Sequence, residues 1–204
     1  MKNSVKIILV ALTFVCLSFV SFEPRTINIV IDAGHGGTDF GAERNIISEK
    51  LLVETITKKI HSLNKDADVK IHLTRSDDSY LGLIERAALI NEIKPDLAIS
   101  LHVNNSKMAT TNGFEIYVSD KITTYEKSNE LAFKFANKYA AKTKLNNRGV
   151  KTGPFMVLKK SEYPTLLIEL GFLSNENDRN YLTSDDGQTE IAQTILDFVS
   201  DLKE

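Results

Sequence analysis

The stretch Ile29-Val30-Ile31-Asp32-Ala33-Gly34-His35-Gly36-Gly37 constrains this chain more than any other. A β-branched apolar run ends in a turn of small residues with one histidine at its tip. Such a run reads as a buried strand, and the glycines allow a tight turn and a close approach of the backbone to a ligand. In open α/β sheets, strand ends of this kind carry the working residues. Three later segments repeat the theme at or just past an apolar stretch, carrying Glu49, His102 and Glu169. The expectation is that these four residues converge.

The rest of the chain supplies the elements of such a sheet. Ile27 to Ile31 reads as a strand, and the polar loop Gly36 to Ile47 ends at Ser48, a good helix N-cap. A helix from about Glu49 to Leu63 places Leu52, Ile56, Ile60 and Leu63 on a core face, with Glu49 in its first turn. Val69 to Thr74 is a second strand. Leu81 to Ile93 reads as a helix with Ile84, Ala87, Ala88 and Asn91 on one side, closed by Pro95. Strands follow at Leu97 to Val103, Phe114 to Val118, Phe155 to Leu158 and Thr165 to Leu170, with a turn at Asn146-Asn147-Arg148-Gly149. Helices are expected from about Tyr125 to Ala141 and Gln188 to Leu202. Alternating strands and helices predict a single-domain, three-layer α/β sandwich with a twisted, mostly parallel sheet flanked by helices. The short link between Leu97–Val103 and Phe114–Val118 predicts one antiparallel pair.

At 204 residues and a formal net charge of −2, the chain is sized for one core and has no basic footprint for nucleic acid. Its start differs from the rest. Lys2 and Lys6 precede an apolar run from Ile7 to Val20, the pattern of a signal peptide or an N-terminal anchor over residues 1–21. That pattern leaves 22–204 as the expected exported domain, bound for the periplasm or cell envelope. Cys16 is the only cysteine and lies inside that run, so the exported part has neither a disulfide framework nor a thiol nucleophile.

Four histidines are candidates for chemistry. His61 falls on the polar side of a helix and His72 in mid-strand, ordinary places for a surface or satisfied core imidazole. His35 and His102 stand at strand ends beside Gly and Asn. Two imidazoles, one carboxylate and an open position make a catalytic zinc site. Glu49 is the natural third ligand, with Asp39 and Glu43 as competitors from the same loop. Glu169 is a lone acid in an apolar strand, where an unpaired carboxylate needs a partner or a raised pKa. It either pairs with Arg75, Arg86 or Arg148, or faces the metal site as a general base.

These segments resemble the zinc-dependent N-acetylmuramoyl-L-alanine amidases of the Amidase_3 family. The matching residues are Ile31 to Gly37, Ser48-Glu49-Lys50, Leu73-Thr74-Arg75 with Asp78, Leu83 to Arg86 with Asn91, and Ser100 to Asn104. Gly113 to Tyr117, Arg148 to Lys151 and Pro164 to Asn175 complete the set in family order. The resemblance implies one Zn²⁺ held by His35, Glu49 and His102, with Glu169 as the catalytic glutamate. It implies a peptidoglycan hydrolase that cuts the amide between N-acetylmuramic acid and the L-alanine of the stem peptide. Zinc-activated water would attack, with Glu169 as general base and then acid. Peptidoglycan or muropeptides are the expected partners. Asn104, the backbone N–H groups of Gly36 and Gly37, and Arg148 are candidate oxyanion or substrate contacts, while Arg75 and Arg86 read as structural. Division-type relatives carry a long insertion with a plugging helix after the Ser-x-His-x-Asn segment. Here only Asn105 to Asn112 stands in its place, so no obligatory activator is expected. A monomer is the expected state. The rival readings are another zinc amide hydrolase, a catalytically degenerate wall-binding module and a structural zinc protein.

Overall fold

The computed structural model describes residues 25–203; the segment expected to direct export, 1–21, lies outside the described residues. In chain order the strands are β1 (Ile27–Ala33), β2 (Glu43–Arg44), β3 (Ile47–Ser48), β4 (Val69–Leu73), β5 (Leu97–Asn104), β6 (Phe114–Val118), β7 (Asn147–Thr152) and β8 (Thr165–Phe172). β2 and β3 form a small separate hairpin. The other six make one sheet of order β4-β1-β5-β8-β6-β7. The first four strands in that order are parallel, whereas β6 pairs antiparallel with β8 and parallel with β7. The helices are α1 (Glu49–Leu63), α2 (Leu83–Ile93), α3 (Ile122–Thr143), α4 (Met156–Lys160), α5 (Glu176–Thr183) and α6 (Asp185–Ser200). The expected three-layer, mostly parallel sandwich is therefore present.

Period-two alternation sorts the central strands into two faces. Ile29 and Ile31 of β1, Ile99 and Leu101 of β5, Phe114 and Ile116 of β6, and Leu166 and Ile168 of β8 enter the larger core. Helices α1, α3 and α6 cover this face, and Ile56, Ile60, Phe135, Ile191 and Ile195 are fully buried there. Phe114 and Phe135 both pack on Tyr139, with ring centroids 4.8 and 5.3 Å away. The opposite face bears a smaller core of Val30, Ala98 and Leu167 under α2 and the short α4. Toward the carboxyl ends of β1, β5 and β8 that second face turns polar, with Asp32, Ser100, His102 and Glu169.

Several expectations fail. Phe155 to Leu158 is not a strand: Met156 to Leu158 begin α4, because an apolar run this short does not distinguish helix from strand. The turn expected at Asn146–Gly149 is largely β7, an edge strand whose solvated residues hide the pattern. The antiparallel pair exists, but β6 pairs with β8 and not with β5, since β8 occupies the place between them. Ile84 is exposed, and Ala87 and Ile90 bury the inner side of α2. The polar loop before Ser48 contains the β2–β3 hairpin. Helix α1 does begin at Glu49, although the Ser48 side chain makes no cap hydrogen bond. Helix α5 was not expected; Asn175 caps it by accepting from the Asp178 N–H.

Candidate active site

The carboxyl end of β1 is held by two buried arginines. Arg86 donates to Asp32 at 2.7 Å and to the carbonyls of Ala33 and His35. Arg75 donates to the carbonyls of Ala33 and Gly34 at 3.1 and 3.0 Å, and pairs with Glu54 at 3.0 Å. Both are structural, as expected. Asp32 is fully buried and also accepts from Thr74 at 2.6 Å and Ser100 at 2.7 Å. Burial pushes its pKa up, but Arg86 and these hydroxyls outweigh that and hold the carboxyl below its ordinary range.

This clamp supports a strained turn. His35 has φ 58°, an uncommon conformation for a residue with a side chain. The turn also depends on missing side chains. A Cβ on Gly34 would come within 2.5 Å of the His102 ring, and one on Gly41 within 2.5 Å of the Glu49 carboxylate.

The result is a cluster of His35, Glu49 and His102, each offering a ligand atom within 4.8 Å of the others. Glu49 Oε1 lies 3.0 Å from His35 Nε2 and 2.9 Å from His102 Nδ1, and accepts from the Val103 N–H at 2.9 Å. Its Oε2 accepts from the Ala42 N–H at 2.8 Å. Burial raises the Glu49 pKa, yet the bonds to His102 and His35 prevail and keep it well below the usual carboxylate range. Asp39, weighed from sequence as a rival ligand, instead sits 2.9 Å from His35 Nδ1, on the far side of the ring. Carboxylates in that position fix the orientation of a metal-binding imidazole. Glu43 is exposed in the hairpin and outside the cluster. Two ring nitrogens and one carboxylate, gathered this closely, are a donor set suited to tetrahedral Zn²⁺ with one position left open.

Glu169 lies across from His102 on β5 and from Glu115 on β6. It does not pair with Arg75, Arg86 or Arg148. Its Oε2 is buried with no hydrogen-bond partner among the described residues. Burial pushes its pKa up to about 7, against the pull of His102 and with the Glu49 and Glu115 charges adding to the rise.

Two of the other expected contacts, Arg148 and Asn104, meet at Glu115 beside Glu169. Arg148 Nε donates to Glu115 at 2.7 Å, and Asn104 Nδ2 approaches Glu115 at 3.4 Å. The Gly36 and Gly37 N–H groups are already committed, to the Asp39 and Asp78 carbonyls at 3.0 and 2.9 Å, so neither is a spare oxyanion donor. His61 is exposed, and His72 lies 3.2 Å from the Asn28 side chain; neither joins the cluster. Asp32 and Glu115 were not singled out from sequence, although each is a charged residue inside an apolar strand, the same signal that marked Glu169.

Fold and site together define a class: three-layer α/β domains with a two-histidine, one-carboxylate cluster beside a buried acid. The chain belongs within it to the N-acetylmuramoyl-L-alanine amidase family, Amidase_3, which it matches over residues 29–201. It is by that membership an enzyme of the cell-wall amidase type. It is 36% identical over 172 residues to the amidase LytC of Bacillus subtilis, covering 83% of this chain and 34% of LytC. The crystal structure of an N-acetylmuramoyl-L-alanine amidase from Clostridium difficile 630 superposes with a TM-score of 0.82 at 32% identity, covering 87% of this chain and 96% of that one. The CwlD amidase of Clostridioides difficile, solved in complex with the GerS lipoprotein, gives 0.78 at 31% identity over 86% of this chain and 97% of that one.

Proposed function

We propose that this chain hydrolyses the amide between N-acetylmuramic acid and the L-alanine of the stem peptide, with His35, Glu49 and His102 holding one Zn²⁺ and Glu169 moving the proton. The carrying observation is the buried, unpartnered oxygen of Glu169 beside the three-residue cluster. Such an acid serves proton transfer best with a pKa near the working pH. When bound, the ion supplies Lewis-acid polarisation of the amide carbonyl and acidifies water. Glu169 takes the proton of the attacking water and passes it to the leaving amine of alanine. Asp39 keeps the His35 ring oriented, and the Asp32–Arg86 clamp fixes the turn that carries it.

The substrate lies outside the cytoplasm, in keeping with the export expected from residues 1–21. Among the described residues no helix is long and apolar enough to cross a membrane. The link 105–113 contains no helix and is tied down by hydrogen bonds to Ser174 and Asn175. That supports a site working without an obligatory activator.

The test is digestion of purified peptidoglycan with and without a chelator, with products identified by mass spectrometry. Chelator-sensitive release of intact stem peptides beginning at L-alanine, with no activator added, is the expected result. Cleavage within the stem peptide, or removal of an acetyl group, would assign the site to a different amide.

A further inference from the structure

The site is flanked by two unlike surfaces. On one side is a cavity of about 320 Å³ lined by Tyr80, Leu83, Phe155, Met156 and Leu167, with His35 and His102 beside it. On the other side, along β6 and β7, stand two cations on one carboxylate. Glu115 Oε1 accepts from Arg148 Nε and from Lys151 Nζ, each at 2.7 Å, while its Oε2 accepts from Tyr117 at 2.8 Å. Glu115 is buried, whereas the Arg148 and Lys151 side chains are 33% and 40% exposed.

Resting on the amidase reading, we propose that Arg148 and Lys151, seated on Glu115, form a subsite for a stem-peptide carboxylate and thereby orient the substrate across the site. One cation balances Glu115; the second leaves a net positive charge. Arg148 uses Nε and, at 3.5 Å, Nη1 toward the Asn112 carbonyl. Its Nη2 and the remaining Lys151 protons meet no protein acceptor among the described residues. The Arg148 guanidinium lies 5.2 Å from the Phe172 ring centroid, which helps hold it in place. A guanidinium and an ammonium so placed suit a carboxylate, which accepts charge-assisted hydrogen bonds from both.

The spacing fits a peptide. β7 stands two strands from β8, about 10 Å. The second residue of an extended peptide occupies the span from about 3.5 to 7 Å beyond the start of the first, within reach of side chains leaning from β7. The carboxylate received is therefore a free one carried by the second stem residue, the one after alanine. The saccharide side then lies toward the apolar cavity.

The experiment measures kcat/KM of the zinc-loaded enzyme on two muropeptides that differ only at this group, carboxylate in one and carboxamide in the other. The wild type should prefer the carboxylate by about tenfold, mainly through KM. Lys151→Met and Arg148→Gln should each reduce that preference toward one, and Lys151→Arg should keep it. Thermal melts of each variant separate misfolding from lost recognition, and Lys151→Gln provides a second probe. A wild type indifferent to the group, or folded variants that keep the full preference, would overturn the subsite. Failure to cut either muropeptide would instead remove the amidase reading on which it rests.

Discussion

The two faces of the sheet are made from the same strands and are used differently. One carries the apolar side chains of Ile29, Ile31, Ile99, Leu101, Ile168 and Phe114 under three helices. The other begins apolar at Val30, Ala98 and Leu167, then presents Asp32, Ser100, His102, Glu169 and Glu115 where its helical cover ends. Alternation along each strand lets one residue stabilise and the next do chemistry. The polar face is not purely functional, however, since Asp32 and Arg86 hold the turn while one oxygen of Glu169 has no partner.

The largest expected effect tests that division. Glu169→Gln should lower kcat about 10²- to 10⁴-fold while leaving the melting temperature at about pH 8, above the raised pKa, unchanged or higher. A variant that melts earlier and still turns over would make Glu169 structural. Arg86→Ala should cost about 3–5 kcal/mol in denaturant unfolding, because it leaves the buried Asp32 charge unpaired. A loss under about 1 kcal/mol, the size of a surface pair, would mean the clamp is dispensable. On the apolar face, Ile56→Ala should cost about 2–5 kcal/mol with kcat/KM of the folded fraction retained.

Smaller effects sharpen the contrast. In the metal-free protein, the folded state keeps the Glu169 proton up to about pH 7, whereas the ordinary value is 4.5. Below the ordinary value both folded and unfolded chains carry that proton, and Glu169 costs nothing. As pH rises through the window to 7, the unfolded chain loses it first, and stability falls. Relative to Glu169→Gln, the wild type should lose about 3 kcal/mol across that window. Parallel stability curves would remove the raised pKa. Asp39→Asn should weaken zinc binding about 10- to 100-fold by competition titration, with little change in the melt of the metal-free protein.

Long apolar strands and amphipathic helices were legible because burial imposes its period on the sequence, as in β1, β8 and α1. β7 was not, since an edge strand in solvent has no hydrophobic alternation, and α4 was too short to show a helical period. The partner of β6 was hidden because strand order is decided by packing, and β8 arrives two strands later in the chain. Strand-end and helix-start positions marked His35, Glu49 and His102, which the fold gathers. Isolation among apolar neighbours marked Glu169, which stands beside His102 in the sheet. Asp32 and Glu115 carry the same local signal, but their partners, Arg86 for one and Arg148 with Lys151 for the other, come from distant elements that no local pattern encodes.

The central place of β8 bears on when the enzyme can act. That strand joins β5 to β6 and brings Glu169 to residues made much earlier in the chain. Contacts this distant in sequence form late and slowly. A chain not yet made through β8 lacks Glu169 altogether, although His35, Glu49 and His102 are already present. For an enzyme aimed at the cell wall, the proposed proton carrier is thus the last of the four site residues to be made.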